Sequence, residues 1–482
     1  MNEKKPFRVI IVGGGVGGLT ASHCLQKAGI DHVLLERRST AAPPEGASIS
    51  LYPNGLRIVN QLGLRKAMDA ISTPAKYLWW RRPDGSFFRQ GRYYDYIVEN
   101  HGRSSDLFER REFLQVLYDT LPNKTPIRTD AGVVGVKELP DGVQVTLNDG
   151  SVENGDIIIG CDGVHSFVRN AMWENANKVA PGLITEKEKT SMVTSWKGLI
   201  GIAPAEAKLG QRDATIVFGQ GHSFLLLSDP ERIFFFVFIA LEKPFHWPER
   251  VRYTDDDVEA VAAGLADSPI TDSLTFGDLW KKRYRGTLVP LEEGVLEHWY
   301  HGRTALAGDS VHKVTPNLGL GGNLTMESVV VLCNCIQEML VAQNGGKPSQ
   351  DAITNAFAKY QALQIRRANQ VCEISAANTR GQSWHTTFYK LMVMWLEPLF
   401  SDRFGADMLG EMWRRAPKLN YVDLEDAKDI RLSWKEINLA KKQTWFQKKV
   451  RSRLLRSTIK ITLSAAAVAT VAISLCSWRI ID

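Results

Sequence analysis

Several features that mark common protein classes are scarce in this sequence. A disulfide framework and a zinc site are not expected, because the cysteines form no CxxC pair and keep no framework spacing. A secretory leader is not expected either, since the apolar run VIIV after MNEKKPF leads directly into a glycine-rich turn that cleavage would remove. The six cysteines, which we predict to be reduced thiols, are Cys24, Cys161, Cys333, Cys335, Cys372 and Cys476.

Positive charge is concentrated in one short segment. The formal net charge is +6, but residues 441–460 alone contain eight Lys or Arg and no acidic residue. The rest of the chain is close to neutral, which argues against nucleic acid as a partner. Hydrophobic residues make up 44% of the 482 residues, enough for about three domain-sized units with substantial cores.

The first chemically informative motif is a glycine-rich turn between a strand and a helix. The β-branched run 8–12 predicts a buried parallel strand, and a helix is predicted over 19–28. Between them, Gly13, Gly15 and Gly18 have the spacing G-x-G-x-x-G. In such motifs the glycines permit a tight turn, close approach of a pyrophosphate to the backbone, and close helix–strand packing. The helix start then offers N–H groups to phosphate.

An acidic residue completes this dinucleotide-binding pattern. Glu36 ends a second predicted strand, 31–35, where a carboxylate can accept hydrogen bonds from ribose hydroxyls. Its charge would repel a 2′-phosphate, so the site predicts FAD or NAD and disfavours NADP.

Two later motifs have the form of strands that end in turns. The first is DIIIGCDGVHSFVR, residues 156–169, and the second is RTALAGDSVH, residues 303–312, followed by TPNLGLGGN. With the glycine turn, they resemble the three fingerprints of single-component, class A flavin monooxygenases, the para-hydroxybenzoate and salicylate hydroxylase class. The resemblance covers roughly residues 7–375.

The resemblance implies FAD as bound cofactor, with NAD(P)H as a transient co-substrate and O2 as oxidant. It places Asp309 at a ribityl hydroxyl of FAD and Gly322 in a helix start beside the flavin ring. It also places Asp162 and Gly163 where the protein approaches both FAD and the nicotinamide donor. It also matches Arg111, rather than the neighbouring Arg110, to an arginine that contacts FAD phosphate. A second G-x-G-x-x-G motif for a fixed nicotinamide domain is absent from the sequence.

Within that class, PEGASISLYPNG at 44–55 and HKVTPN at 312–317 are most similar to fungal monooxygenases that epoxidise prenyl chains in meroterpenoid and indole-diterpene biosynthesis. Ser50, in the first stretch, stands where that group usually has Gly or Ala, and we include it among the cofactor-binding residues. The implied reaction is epoxidation of an alkene on a prenylated or terpenoid precursor, with a terpene cyclase as a downstream partner.

Other enzyme classes remain open from the residues alone. An aromatic-ring hydroxylase of the salicylate or kynurenine hydroxylase type needs a general base, and no base is identifiable. A non-oxygenating flavoprotein, such as a prenyl reductase, is a further alternative. His312 and His165 are expected to be structural, no metal site is predicted, and no catalytic residue is assigned.

The expected fold is α/β, with a Rossmann-like FAD-binding domain and an interleaved β-sheet substrate domain. The FAD-binding domain spans 1–175 and 291–375, with a substrate-side insertion at about 70–105, and the substrate domain spans 176–290. Two aromatic pairs in the insertion, Trp79-Trp80 and Tyr93-Tyr94, are candidates for an apolar substrate wall. A helical and basic region, 376–456, and a membrane anchor, 457–482, follow.

The tail predicts a membrane anchor. Residues 461–478 carry no charge, and a helix of that length spans about 27 Å, enough for a thin bilayer. The preceding positive charges predict that the catalytic domain faces the cytosol, with the endoplasmic reticulum the favoured membrane. A second apolar stretch, 384–400, contains Lys390 and Glu397 and is expected to rest on a membrane rather than span it.

Overall fold

The computed structural model describes residues 6–396, 399–424 and 430–435. The basic segment 441–460 and the expected anchor 461–478 lie outside the described residues. The strands in chain order are β1 (Arg8–Val12), β2 (Asp31–Leu35), β3 (Ser48–Leu51), β4 (Thr73–Pro74), β5 (Tyr77–Arg81), β6 (Phe87–Gly91), β7 (Asp106–Glu109), β8 (Ile127–Arg128), β9 (Val133–Leu139), β10 (Gly142–Leu147), β11 (Val152–Gly155), β12 (Ile157–Gly160), β13 (Val193–Pro204), β14 (Asp213–Val217), β15 (His222–Ser228), β16 (Arg232–His246), β17 (Pro269–Thr271), β18 (Leu274–Thr275), β19 (Arg285–Val295), β20 (Tyr300–His301), β21 (Thr304–Leu306) and β22 (His312–Lys313).

The helices are distributed along the whole described chain. A π-helical turn, Met392–Leu396, directly follows the twelfth α-helix of the chain. The α-helices are α1 (Val16–Lys27), α2 (Pro53–Leu62), α3 (Arg65–Asp69), α4 (Tyr93–His101), α5 (Arg110–Asp119), α6 (Phe167–Val179), α7 (Glu186–Lys189), α8 (Asp255–Gly264), α9 (Phe276–Lys282), α10 (Gly321–Ala342), α11 (Gln350–Gln382), α12 (Thr387–Leu391) and α13 (Asp402–Trp413).

A six-stranded sheet forms the cofactor half of the fold. Its order is β20-β21-β12-β1-β2-β8, and every pairing from β21 to β8 is parallel. The three strands that precede the three sequence motifs, β1, β12 and β21, are therefore neighbours. Because parallel neighbours end at one edge of a sheet, the three motifs meet there.

Helix α1 begins three residues earlier than the sequence predicts. The N–H of Leu19 already donates to the Gly15 carbonyl at 3.0 Å, so Val16, Gly17 and Gly18 belong to the first turn. The glycines do not break the helix, because tertiary contacts override their weak helix propensity at this position.

An eight-stranded, mostly antiparallel sheet forms the other half. Its order is β22-β19-β13-β16-β15-β14-β5-β6, with only the β14–β5 pairing parallel. Strands β5 and β6 come from the insertion at about 70–105, so this early segment pairs with the sheet that the later residues 193–295 build. Strands β15 and β16 form a hairpin, with Ser223 opposite Phe238.

One described helix, α10, is long and apolar enough to cross a membrane. However, 78% of its most apolar window is buried inside the fold, where the helix packs against α1 and α11. Helix α10 is therefore a core helix of this domain, and its apolar character is explained by burial.

Candidate active site

A cavity of about 2800 Å³ lies between the two sheets. One wall contains the turns that follow β1, β12 and β21. The opposite wall contains side chains of the eight-stranded sheet, and helices α11 to α13 complete the lining. The cavity is large enough for a dinucleotide and a second, sizeable molecule.

The three glycines of the first motif have different roles in the structure. Gly13 has φ +102°, and a Cβ there would lie 2.5 Å from the Cys161 carbonyl oxygen. A Cβ on Gly18 would lie 1.8 Å from the Gly13 oxygen, so only glycine permits this contact. Gly15 lines the cavity, and a Cβ there would meet no atom within 4 Å. Gly13 and Gly18 thus shape the turn, and Gly15 presents open backbone to the cavity.

Glu36 is buried beside this turn. Its Oε2 accepts a hydrogen bond from the Gly14 N–H at 2.6 Å, and its Oε1 accepts one from the Arg38 N–H at 2.9 Å. A carboxylate has about four acceptor positions, so capacity for a ribose hydroxyl remains. The carboxylate also fixes the turn that carries Gly15.

The second motif places its glycine, but not its aspartate side chain, at the cavity. Gly163 lines the cavity with φ +83°, and a Cβ there would meet no atom within 4 Å. The Asp162 carboxylate instead accepts from the Ser166 hydroxyl at 2.5 Å and the Val168 N–H at 3.0 Å. The Asp162 side chain therefore fixes the first turn of α6, and the expected approach of FAD and the nicotinamide donor at Asp162 and Gly163 stays a prediction, with Gly163 at the cavity. Burial raises the pKa of this carboxyl group.

The third motif brings Asp309 to the cavity beside a cation. Asp309 lines the cavity with a third of its side chain exposed, and it forms an ion pair with Lys313. Burial alone would lower the pKa of Lys313, but the nearby Asp309 and Glu292 carboxylates outweigh it and raise that pKa. Lys313 was missed by sequence reasoning, because its pairing with Asp309 depends on the turn at 308–311.

Gly322 and Ser50 also line the cavity, from α10 and β3. A Cβ on Gly322 would lie 2.5 Å from Cδ1 of Ile49, so a small residue keeps the two elements close. Asn323 joins them further: its amide donates to the Ser50 carbonyl at 2.9 Å and accepts from the Tyr52 N–H at 3.0 Å. Asn323 was not among the predicted site residues.

The structure places Arg110 at the cavity, whereas the predicted cofactor residue Arg111 points away from it. Helix α5 begins at Arg110, and successive helical residues point about 100° apart. Arg111 is exposed and is not part of the cavity wall, whereas Arg110 lines the cavity and donates to the Glu45 carbonyl at 3.2 Å. Burial lowers the pKa of Arg110, and the charges of Glu45, Asp309 and Glu36 oppose that shift.

The donor set of this wall fits FAD. Helix α1 begins after Gly15 and helix α10 begins after Leu320. Neither N-cap residue has a polar side chain, so neither makes a capping hydrogen bond. Residues of both helix starts line the cavity. Uncapped N–H groups and the positive helix ends suit a pyrophosphate at one site and a reduced, anionic flavin ring at the other.

Comparisons with known proteins agree with this geometry. A family model described as an FAD-binding domain matches residues 7–192 and 248–351. The FAD-dependent monooxygenase DEP2 of Fusarium langsethiae is 37% identical over 446 residues, which cover 92% of this chain and 85% of the relative. The chain belongs to the FAD-dependent monooxygenases. The monooxygenase penE of Penicillium thymicola is 35% identical over 408 residues, covering 84% of this chain and 86% of the relative.

Solved structures show the same fold for this class A flavin monooxygenase. HpxO of Klebsiella pneumoniae, complexed with FAD and uric acid, superposes with a TM-score of 0.68 at 21% identity. That match covers 85% of this chain and 97% of the other. A salicylate hydroxylase substrate complex superposes with a TM-score of 0.64 at 18% identity, covering 85% and 98%.

The wall of the monooxygenase opposite the cofactor turns is mainly apolar. The apolar side chains that line it from the central strands include Ile200, Ile216, Leu225, Leu227, Phe236, Val289 and Leu291, and the polar ones are Asp213, Ser228, Arg285, Thr287 and Glu292. Alternation along β16 divides its phenylalanines: Phe236 lines the cavity, whereas Phe235 packs against Phe276 and Trp280 on the other face.

The insertion aromatics divide in the same way. Trp80, Tyr93 and Tyr94 line the cavity, but Trp79 does not, and its indole N–H donates to Asp213 at 2.8 Å. The sequence could identify the aromatic-rich strand but not which of its two tryptophans faces inward.

The two histidines differ in surroundings. His312 is buried and its Nε2 lies 2.5 Å from the Ser328 hydroxyl, which supports the structural interpretation. His165 lines the cavity, with its Nε2 3.5 Å from the carboxylate of Glu292. Burial lowers the pKa of His165 to about 4, with Arg250 and Arg169 adding to the shift. Among the residues that the structure describes, no cluster of His, Cys, Asp or Glu could hold a metal ion.

Proposed function

We propose that this FAD-dependent monooxygenase epoxidises an isolated alkene on a prenylated or terpenoid precursor in fungal secondary metabolism. The observation that carries the proposal is the wall of the cavity opposite the cofactor turns, whose central strands present mainly aliphatic and aromatic side chains inward. Such a wall binds a long hydrocarbon chain and excludes water from it. The resemblance of 44–55 and 312–317 to fungal prenyl epoxidases supports the same substrate class.

The cofactor wall would hold FAD through backbone and a few charged groups. We assign Gly15 and the start of α1 to the pyrophosphate, Glu36 to the adenosine ribose and Asp309 to a ribityl hydroxyl. The start of α10 would face the flavin ring, and Arg110 would contribute a charge-assisted hydrogen bond to phosphate. When bound, reduced by NAD(P)H and exposed to O2, FAD supplies an electrophilic oxygen atom for transfer.

Epoxidation requires no acid or base from the protein. An alkene donates its own electron pair to electrophilic oxygen, so the residues need only orient the double bond and keep water away. Phe236, Leu225 and Leu291 lie on three strands of the wall and can clamp a chain from one side. The charged lining residues of these strands lie toward their ends, as Asp213 and Arg285 do.

Aromatic hydroxylation is the second candidate, and Glu292 is the observation that favours it. This carboxylate is buried at the cavity near His165, and burial raises the pKa of Glu292. A carboxylate with a raised pKa can accept the proton of a phenol. It lies toward the end of β19, beside the cofactor wall rather than among the central apolar residues.

Product analysis decides between the two candidates. Full-length protein in detergent is supplied with NADPH and O2, and with one of three probes: a farnesylated aromatic, the same molecule with a saturated chain, or a simple phenol. We expect one added oxygen on the farnesyl chain, opened by acid, and no product from the saturated control. Ring hydroxylation would replace the proposal with the second candidate, and peroxide release without product would overturn both.

A further inference from the structure

Large apolar side chains exposed to solvent are concentrated in the segment 388–399. Trp395 is 70% exposed and Leu399 is 77% exposed, which is unusual for residues of this size. Others in the same segment are Phe388, Leu391 and Met394. A concentration of this kind marks a surface that another apolar phase covers.

The opposite side of the same segment lines the active-site cavity. Tyr389, Met392 and Val393 line it, at spacings of three and four residues that place them on one helical face. Phe388, Leu391 and Trp395, also three and four residues apart, are exposed. Helix α12 and its π-helical turn are therefore apolar on both sides, and one layer of chain separates the cavity from the exterior.

Contacts at both ends hold this segment against the eight-stranded sheet. Before it, the Gln220 side chain donates to the Trp384 carbonyl at 2.9 Å. After it, the Arg89 guanidinium donates to the Phe400 carbonyl at 2.9 Å and pairs with Asp402. The exposed apolar residues thus belong to a segment anchored in the fold.

We propose that the outer face of residues 388–395 lies in the surface of a lipid bilayer, and that substrate passes from lipid into the cavity through this segment. A helix that is apolar all round is stable only when both faces are covered, and the inner face already meets the cavity. Exposed Trp, Phe and Leu side chains bury favourably at the interface of headgroups and acyl chains. Substrate passage rests on the proposed function, but lipid contact does not.

Two further observations select lipid rather than protein as the covering phase. Lys390, the charged residue of α12, folds back so that its Nζ lies 4.9 Å from the Trp384 ring, leaving neighbouring apolar residues outermost. The chain then continues from Lys435, whose N–H donates to the Arg414 carbonyl just after α13, into the sequence that holds the eight positive charges of 441–460. Those charges favour anionic headgroups as partners of the sequence that follows Lys435.

Photo-crosslinking tests the lipid contact directly. Full-length protein carrying Trp395→p-benzoylphenylalanine is irradiated with vesicles of phosphatidylcholine and phosphatidylserine, and adducts are mapped by mass spectrometry. The matched control carries the same group at Val179, which is 76% exposed on α6. We expect lipid adducts at position 395 and none at 179.

Every other outcome overturns the lipid contact. A crosslink between two chains would assign the face to a second copy, and a crosslink to residues 461–478 would assign it to the chain's own tail. Equal lipid adducts at both positions, or none at position 395, would show that the face has no specific lipid contact.

A kinetic comparison tests passage of substrate. In Leu391→Asp/Trp395→Asp, charges replace two outward-facing side chains outside the cavity wall. With a prenylated alkene delivered in vesicles, we expect KM to rise about tenfold while kcat is retained. With a short alkene delivered in detergent, we expect the KM and kcat of this double variant to match those of the wild type. The control variant Val179→Asp should match the wild type in both assays. An equal rise of KM in both assays would overturn the entry route, and a wild-type protein inactive on every alkene would refute the proposed function instead.

Discussion

The two walls of the cavity are built in opposite ways. The cofactor wall is mostly backbone, presented by turns at Gly15, Gly163 and Gly319 and by two helix starts. The substrate wall is side chain, presented by alternate residues of strands such as Ile200 on β13 and Phe236 on β16. Close approach of a fixed, charged cofactor needs N–H groups without side chains, whereas a hydrocarbon needs apolar area.

This contrast predicts that the two walls tolerate substitution differently. A backbone site depends on a few glycines that no other residue can replace. A side-chain wall distributes its contacts over many residues, so a single substitution removes only part of the binding surface. The four predictions below test that contrast, beginning with the largest expected effect.

Gly18→Ala should prevent formation of the holoenzyme. The new Cβ would lie 1.8 Å from the Gly13 oxygen, a backbone atom that cannot move without opening the turn. We expect a stability loss of about 3 kcal/mol or more and no retained FAD, measured by thermal unfolding and flavin absorbance. The control is Gly15→Ala, whose Cβ meets no atom within 4 Å. It should unfold like wild type without FAD and bind FAD more weakly. Equal unfolding temperatures for the two variants would contradict the division of roles.

Phe235→Ala and Phe236→Ala should separate folding from substrate binding. Phe235 is fully buried against Phe276 and Trp280, so its removal should cost about 3–5 kcal/mol of unfolding free energy. Phe236 faces the cavity, so its removal should cost less stability and raise the KM for an alkene substrate. Denaturant unfolding and steady-state kinetics check the pair. A larger KM change for Phe235→Ala would place the wrong face of β16 at the substrate.

Acid should destabilise the fold through buried His312. Burial lowers the pKa of His312 to about 4, below the value of about 6.5 in the unfolded chain. Between these values the unfolded chain binds the proton and the folded chain does not. Stability is therefore complete above pH ~6.5 and falls by up to about 3 kcal/mol as the pH decreases toward 4. The unfolding temperature of His312→Asn should be lower at neutral pH but should fall less steeply on acidification. If the unfolding temperatures of the wild type and His312→Asn fell equally with decreasing pH, the acid sensitivity would not come from His312.

Arg110→Ala and Arg111→Ala should differ in FAD affinity. Arg110 lines the cavity and Arg111 is exposed, so loss of Arg110 should weaken FAD binding about tenfold, the value of one charge-assisted hydrogen bond. Flavin fluorescence titration of the apoproteins measures both. The opposite order of effects would restore the role that the sequence motif suggests for Arg111.

The cofactor wall could be predicted from sequence because its signals are local. Gly13, Gly15 and Gly18 adopt the turn that their spacing predicts, and β1, β12 and β21 end beside one another as the three motifs require. The exceptions involve side-chain direction. Which of Arg110 and Arg111 faces inward depends on where α5 begins. The Asp162 carboxylate accepts hydrogen bonds at the start of α6 instead of facing the cavity.

The substrate wall could not be assigned residue by residue. Trp80 and Phe236 come from segments more than a hundred residues apart, and they share a wall because β5 joins the sheet beside β14. Helix α12, with its two apolar faces, also depends on long-range packing, whereas Lys313 pairs with Asp309 through the local turn at 308–311. Local patterns of glycine and hydrophobicity predicted an α/β fold with a dinucleotide site, because backbone conformation responds to neighbouring residues. The choice of FAD rested on the resemblance of the three motifs to a known family. The direction of each side chain was decided only when distant strands paired, because register and helix start set which face meets the cavity.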